Sequence, residues 1–443
     1  MAARMQTTAA RFLSTALGQF WMLPRLPMAL WLFTLGLGLR FAFILLSGLY
    51  REPINFTEME KIAQSLATEN LFGNPYKIPT GPTAHCAPMY PFLLSLIYRA
   101  LGFGIAAKTA SLLMNAVFAS LTHALLPLLA EAAGLKRQIG LLAGLIGALI
   151  PFRLLTELEG WEAPLTALCM VSMVSATAHW YKRLPVAKIG SALYGMAWGL
   201  VFLAAPQLLF VFLILAIAPL FWMASRRRSA LACVLIAALS AAAVVLPWTV
   251  RNYKRLGAVI FIRSNIGIEL ATSNFPGASE FATENLFSRG SESYHFKRHP
   301  YPSAAEAEVL KKMGEIKYNQ WRITEAWNWA KSNPGEAVSL SIRRFFHFWF
   351  LPSKAPKYKD FILHPMVVLA FIGAWKLLRV SLPTGWLFAS VFLGYPGAYY
   401  FIQLSTRYRY PMEWCFSFLS VAAFWAMAKG PEAMLATVRE SDG

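Results

Sequence analysis

The sequence predicts an all-α polytopic membrane protein. Apolar runs of about the ~20 residues that a helix needs to cross a bilayer recur along the chain, and mean hydropathy is +0.47. Hydrophobic residues make up 57% of the chain against 14% charged, which excludes a soluble enzyme. About ten spans are expected, near 28–49, 106–131, 139–156, 162–181, 188–205, 207–224, 229–248, 361–379, 384–403 and 411–428. They divide the chain into an N-terminal transmembrane module (1–248), an outward helical region (249–360) and C-terminal transmembrane helices with a cytoplasmic tail (361–443). The first outward loop, 50–91, belongs to the first module.

The N-terminus carries Arg4, Arg11 and Arg25 but no cleavable pattern of charge, short apolar run and small-residue site, so the first apolar segment is expected to stay as an anchor. Basic clusters at Lys136 and Arg137, Lys182 and Arg183, Arg226 to Arg228, and Lys376 with Arg379 fall on one side, which is read as cytoplasmic together with both termini. Arg153 and the pair Arg407 and Arg409 lie against that rule on the outer side, where charge in a short loop marks a candidate for function. The formal charge of +19 largely flanks spans, so anionic headgroups explain it better than nucleic acid. The outward region is also basic, which suits an anionic substrate.

Within the first outward loop, Thr57 and Glu60 form a helix-opening capping box, with Met59, Ile62, Ala63 and Leu66 on one apolar face. Glu60 is thereby given a structural task. Glu58 occupies the first helical position with no capping role, where the helix dipole favours its ionised form by ~0.3–1 kcal/mol. A carboxylate held there is suited to accept a proton or bind a cation, with Glu60 as the fallback. In the second outward loop Glu162, after Trp161 and ahead of a span, is a better second acid than the looser Glu157. His85 is the only histidine of the first loop, His123 and His179 lie in spans, and Arg40 inside the first span needs a partner or an inward-reaching phosphate.

In the outward region, Ser303 with Glu306 reads as a second capping box before a segment running to about Lys331, and Asn333 with Pro334 restarts a helix toward Trp349. Trp321, Trp327, Trp329, Phe345, Phe346, Phe348 and Trp349 suit helices lying on the outer leaflet. Arg251, Asn252, Arg263, Ser264, Asn265, Glu269 and Asn274 form a polar set at the outer end of a span. The four cysteines are scattered and indicate neither a disulfide framework nor a zinc site.

Thr80-Gly81-Pro82-Thr83-Ala84, Pro88-Met89-Tyr90-Pro91, Pro247-Trp248-Thr249-Val250-Arg251-Asn252-Tyr253, Arg263-Ser264-Asn265, Gly314-Glu315 and Arg407-Tyr408-Arg409-Tyr410-Pro411 follow one another in an order that resembles a bacterial branch of the C-type membrane glycosyltransferases. That superfamily includes the protein mannosyltransferases of glycosyltransferase family 39 and the transferase that adds aminoarabinose to lipid A. The resemblance covers about residues 28 to 428 and implies transfer of a sugar from a polyprenyl-phosphate carrier to a lipid, glycan or protein acceptor at the outer face of the cytoplasmic membrane. The catalytic acid of such families maps onto Glu58. Relatives often carry Asp there, but the only aspartates here are Asp360 and Asp442. A common Pro-Pro pair is Ala87-Pro88.

Such chemistry needs a base for the acceptor hydroxyl and cations for the phosphate leaving group. Arg251, Arg407 and Arg409 are the first choices for the phosphate, with Arg263, Asn265, His85 and Tyr90 as further substrate contacts. No cofactor is expected; paired glutamates can hold a divalent cation, but no motif supports one, and neither an Asp-x-Asp motif nor a phosphate-cradling glycine loop is present. The alternative is a transporter or flippase of lipid-linked sugars, which would place paired charges at the midplane of several spans rather than at one face.

Overall fold

The structure, a computed structural model, describes residues 25–149, 154–185, 188–287, 294–352 and 358–436. Arg4, Arg11 and Arg153 lie outside them. The described residues are helical with three isolated β-bridges and no strand, and the chain is a membrane protein. Among the described residues four helices are long and apolar enough on their own to cross a bilayer: Leu26–Ser47, Ile105–Ala132, Ala224–Leu256 and Asp360–Val380. The other apolar segments are shorter or broken, apart from the continuous 21-residue helix Ala163–Arg183, which is less apolar. The expected span 207–224 is interrupted at Ala218, where Leu209–Ile217 gives way to Pro219–Trp222, because proline lacks the N–H that an unbroken helix uses. The expected span 384–403 is helical only over Leu382–Gly394 and then tightens into a 3-10 turn at Pro396–Tyr400.

Packing between spans follows small residues. The Lys188–Ala204 helix lies along Arg227–Leu256, with Gly195 and Gly199 at the crossing. A Cβ on Gly195 would sit 2.0 Å from the Ala237 carbonyl oxygen, so only glycine admits this approach. The first span packs on Ile105–Ala124 and carries Arg40, which is fully buried. Its partner is Glu157, whose two carboxylate oxygens lie 2.7 and 2.9 Å from the Arg40 Nε and Nη2. The Tyr410 hydroxyl donates to the same carboxylate at 3.0 Å. Glu157, passed over in the sequence as a loose loop acid, is therefore an internal counter-ion 117 residues away from its charge.

The first outward loop opens as expected. Thr57 caps the Glu58–Glu69 helix, accepting from the Glu60 N–H while the Glu60 carboxylate accepts from the Thr57 N–H at 2.8 Å. Asn70, in the left-handed region at φ 55°, closes the helix. Met89–Leu101 then packs back against it.

In the outward region the segment from Ser303 is not one helix. Gly314, at φ 80°, divides it into Ala304–Met313 and Glu315–Ser332. Ser303 does cap the first, accepting from the Glu306 N–H at 3.2 Å. The Glu306 carboxylate instead takes the Tyr318 hydroxyl at 2.6 Å and the buried Arg322 guanidinium, so the second capping box is only half formed. Pro334–Trp349 restarts where expected. The aromatics of Glu315–Ser332 and Pro334–Trp349 divide: Trp327 and Phe346 are 60% and 57% exposed and Trp321 and Phe345 are also exposed, whereas Trp329, Phe348 and Trp349 are buried. Phe348 stacks on Tyr399, and Trp349 meets Phe371 and Phe392, which anchors this helix to the C-terminal bundle.

Candidate active site

Glu58 stands at the mouth of the first-loop helix, its residue only 9% exposed. One carboxylate oxygen, Oε1, lies 3.1 Å from His85 Nε2 and 3.6 Å from His299 Nε2. A carboxylate can only accept, so His85 Nε2 carries the proton, and in the neutral ring Nδ1 then accepts from the Tyr76 hydroxyl at 3.0 Å. Burial alone would raise the pKa of Glu58. The contact with His85, followed by the charges of His299 and Arg407, outweighs that and holds the carboxyl well below the usual carboxylate range.

The imidazole is fixed because its backbone is fixed. Every backbone polar group from Thr83 to His85 is partnered. The Thr83 N–H reaches the Phe72 carbonyl and the Thr83 carbonyl takes Arg251 Nη1 at 2.6 Å. The Ala84 N–H donates to Glu315 and the Ala84 carbonyl accepts from the Ser264 N–H. The His85 N–H donates to Thr83 Oγ1 at 3.0 Å, and the His85 carbonyl accepts from Arg263 Nε at 3.2 Å. Three of the six partners are side chains from the outward region, which thereby shapes the first loop.

Across from Glu58 lies a second group. Glu162 precedes the Ala163–Arg183 helix at its cap position, yet its side chain makes no capping bond. Its Oε1 lies 4.0 Å from Arg263 Nη1 instead. Arg407 stacks over Trp161 with its guanidinium carbon 3.6 Å from the ring centroid and donates to the Tyr408 hydroxyl at 3.1 Å. Burial would lower the pKa of Arg407, but Tyr408, Glu162 and Glu269 raise it, so it is a permanent cation. Glu269 completes the set: burial pushes its carboxyl pKa up, against the opposing field of Arg407, and Asn265 Nδ2 donates to it at 3.1 Å. Three carboxylates and two guanidiniums thus share one largely buried space, where their mutual fields are strong.

The other residues singled out in the sequence lie at the border. Arg251 spends its guanidinium on the Thr83 and Phe72 carbonyls and stacks on Trp248 at 4.8 Å, which makes it a clamp on the first loop. Arg409 is engaged by Glu413 at 3.1 Å and by the Trp349 carbonyl at 3.0 Å, inside the bundle. Tyr90, fully buried, donates to Asn115, which in turn donates to the Glu159 carbonyl and so braces the loop before Glu162. Glu60 is held in its cap, with Gly160 pressed against it so closely that a Cβ there would lie 2.5 Å from the Glu60 carboxyl carbon. The sequence reading missed His299 and Tyr76 altogether; His299 follows a basic stretch with no local pattern, and only the folded chain brings it to Glu58. Among the described residues no group of three His, Cys, Asp or Glu side chains is arranged to hold a metal ion.

No protein-family model and no curated protein sequence matches this chain. Solved structures do. The apo oligosaccharyltransferase of Archaeoglobus fulgidus aligns with a TM-score of 0.51 at 13% identity, over 94% of this chain and 53% of its own length. The same enzyme with Zn and sulfate aligns with a TM-score of 0.50 at 13% identity, over 86% and 46%. ArnT from Cupriavidus metallidurans bound to undecaprenyl phosphate gives 0.36 at 13% identity, over 93% and 79%. The present chain spans about half the length of the archaeal enzyme. At that identity the likeness shows the fold: the chain has the fold of that membrane oligosaccharyltransferase.

Proposed function

We propose that this chain is an integral membrane glycosyltransferase that moves a sugar from a polyprenyl-phosphate carrier to an acceptor at the outer face of the cytoplasmic membrane, with both termini cytoplasmic. The observation that carries the reading is Glu58, ionised and backed by His85, in the field of the cation Arg407, with Arg263 beside Glu162 in the same largely buried group. The fold shared with an oligosaccharyltransferase supports glycosyl transfer as the reaction class.

In this mechanism the acceptor hydroxyl binds Glu58, which orients it toward the anomeric carbon of the sugar. As the new glycosidic bond forms, the bond from that carbon to the carrier phosphate breaks, and the phosphate leaves with its electron pair toward Arg407 and Arg263. The hydroxyl proton passes to Glu58. The histidine contacts that keep Glu58 ionised also make it a weak base. A weak base suffices where the transition state is oxocarbenium-like and the nucleophile's proton is lost late. Glu162 and Glu269 are placed to contact the sugar or to stabilise its developing positive charge. Arg251 and Arg409, proposed from sequence as phosphate ligands, fit better as supports of the first loop and of the Arg407 segment. His85 acts on Glu58, Asn265 on Glu269, and Tyr90 on the second loop. The domain division at 248 and 360 is retained, with the outward region contributing Arg263, Glu269 and His299 to the site.

The test is transfer from a panel of labelled polyprenyl-phosphate sugars to extracted envelope acceptors by purified protein. General-base assistance is worth on the order of 10²–10⁴ in rate, so the isosteric Glu58→Gln variant should lose that much. Full activity in Glu58→Gln would sink the assignment.

A further inference from the structure

One buried carboxylate serves the site without touching it. Glu315 is the first residue of the Glu315–Ser332 helix and is 8% exposed. Its Oε2 accepts from Thr83 Oγ1 at 2.5 Å, and its Oε1 accepts from the Ala84 N–H at 2.8 Å and from Ser264 Oγ at 2.6 Å. All three donors are neutral, and two of them belong to a segment more than 230 residues earlier in the chain.

The direction of the Thr83 hydroxyl is the consequence that matters. An ionised carboxylate cannot donate, so Thr83 must give its proton to Glu315 and turn its lone pairs away from it. A lone pair then receives the His85 N–H at 3.0 Å. Glu315 therefore sets both the position of the Ala84 amide and the polarity of the one side chain that holds the His85 amide. His85 in turn donates to Glu58. An amide at position 315 would present an N–H₂ group on one side: turned toward Thr83 it would reverse the direction of that hydrogen bond, and turned toward Ala84 it would lose the bond from the Ala84 N–H.

We propose that Glu315 is a positioning residue of the transfer reaction, acting through Thr83 and Ala84 to keep His85 seated against Glu58. The inference rests on the function proposed above. It adds a residue from the outward region that touches no reacting atom. A shift of about 1 Å in supporting structure can cost on the order of 10²-fold in rate, so Glu315→Gln should lower kcat by about 10–100-fold and leave KM for the donor unchanged.

The experiment pairs kinetics with a substrate-free readout. Protein labelled at its histidine ring nitrogens, with the His85 resonance assigned by its absence in His85→Gln, is titrated as wild type, Glu315→Gln, Thr83→Val and Thr83→Ser. The expected result is that Glu315→Gln and Thr83→Val both move the His85 ring-nitrogen resonances and move the acid limb of kcat to higher pH, while Thr83→Ser keeps both as in the wild type. The Thr83→Val/Glu315→Gln double variant should be no worse than the poorer single variant. An unchanged His85 resonance in Glu315→Gln, or a fall in kcat with no movement of the acid limb, overturns the proposal. Because the resonance needs no substrate, it decides the positioning role even if Glu58→Gln proves active and the transferase reading fails.

Discussion

The pair Arg40 and Glu157 makes the sharpest claim about what holds the first span to the outer loops. At the ~4 Å between charge centres that a two-point contact implies, and an effective dielectric near 20, mutual attraction is about 4 kcal/mol. Removing one partner leaves the other charge buried and alone, at a cost of about 3–5 kcal/mol. Glu157→Gln should therefore lower the unfolding temperature in detergent by about 6–10 °C, taking ~2 °C per kcal/mol for a chain of this size. Replacing both partners by apolar groups, as Arg40→Met with Glu157→Leu, removes both buried charges. With Tyr410→Phe added to remove the hydroxyl that would lose its acceptor, this variant should recover most of the loss. The assay is thermal unfolding of the purified variants at fixed detergent and lipid, read as a double-mutant cycle. If the combined variant is as unstable as the sum of its parts, the two side chains do not act as a pair and the electrostatic account is wrong.

Further outcomes follow from the site. His85 favours the ionised form of Glu58, so His85→Ala should move the acid limb of the pH–rate profile upward; in the wild type that limb lies below pH 4.5, the ordinary carboxylate value, and a limb that stays put would refute the contact's role. The same depressed pKa contributes stability that is present above pH 4.5 and is lost as pH falls through the folded-state value, which acid unfolding of wild type against Glu58→Gln would register. Glu60→Gln keeps the capping geometry and should keep transfer activity, whereas Glu60→Ala should cost about 0.5–2 kcal/mol of stability, both measurable beside Glu58→Gln. Gly195→Ala drives a Cβ to 2.0 Å from the Ala237 carbonyl and should destabilise the protein by about 1–3 kcal/mol as the two helices are forced apart, checked by the same thermal assay.

What the sequence made legible was local. The Thr57 and Glu60 box is written in adjacent residues and their spacing, and it separated Glu58 from Glu60 because a capping carboxylate has its lone pairs committed. Long apolar runs announced the membrane class in the same way. The failures were at distance or in strength. Proline at 219 and 396 broke apolar runs that hydropathy alone reads as continuous. Glu157 looked idle because its partner lies 117 residues away, and Arg251 looked free to bind phosphate because the carbonyls it holds lie in a loop formed early in the chain. Trp329, Phe348 and Trp349 sat among exposed aromatics of identical type, and only the tertiary packing decides which of them face the bundle. Tyr76 and His299 carry no local pattern for the roles they take, and Glu315 stood out only as part of the Gly314-Glu315 motif, with no role attached.

The fully partnered backbone of Thr83 to His85 bears on how the protein is made. Its partners at Arg251, Arg263, Ser264 and Glu315 are between 168 and 231 residues downstream. During synthesis the first loop is made long before the residues that shape it have left the ribosome. The His85 contact with Glu58 therefore cannot be built as the first spans insert, and the nascent membrane protein carries an unformed site until translation has passed Glu315. Activity is in this sense a property of the nearly finished chain, and a truncation ahead of that residue would leave a well-inserted but inert set of helices.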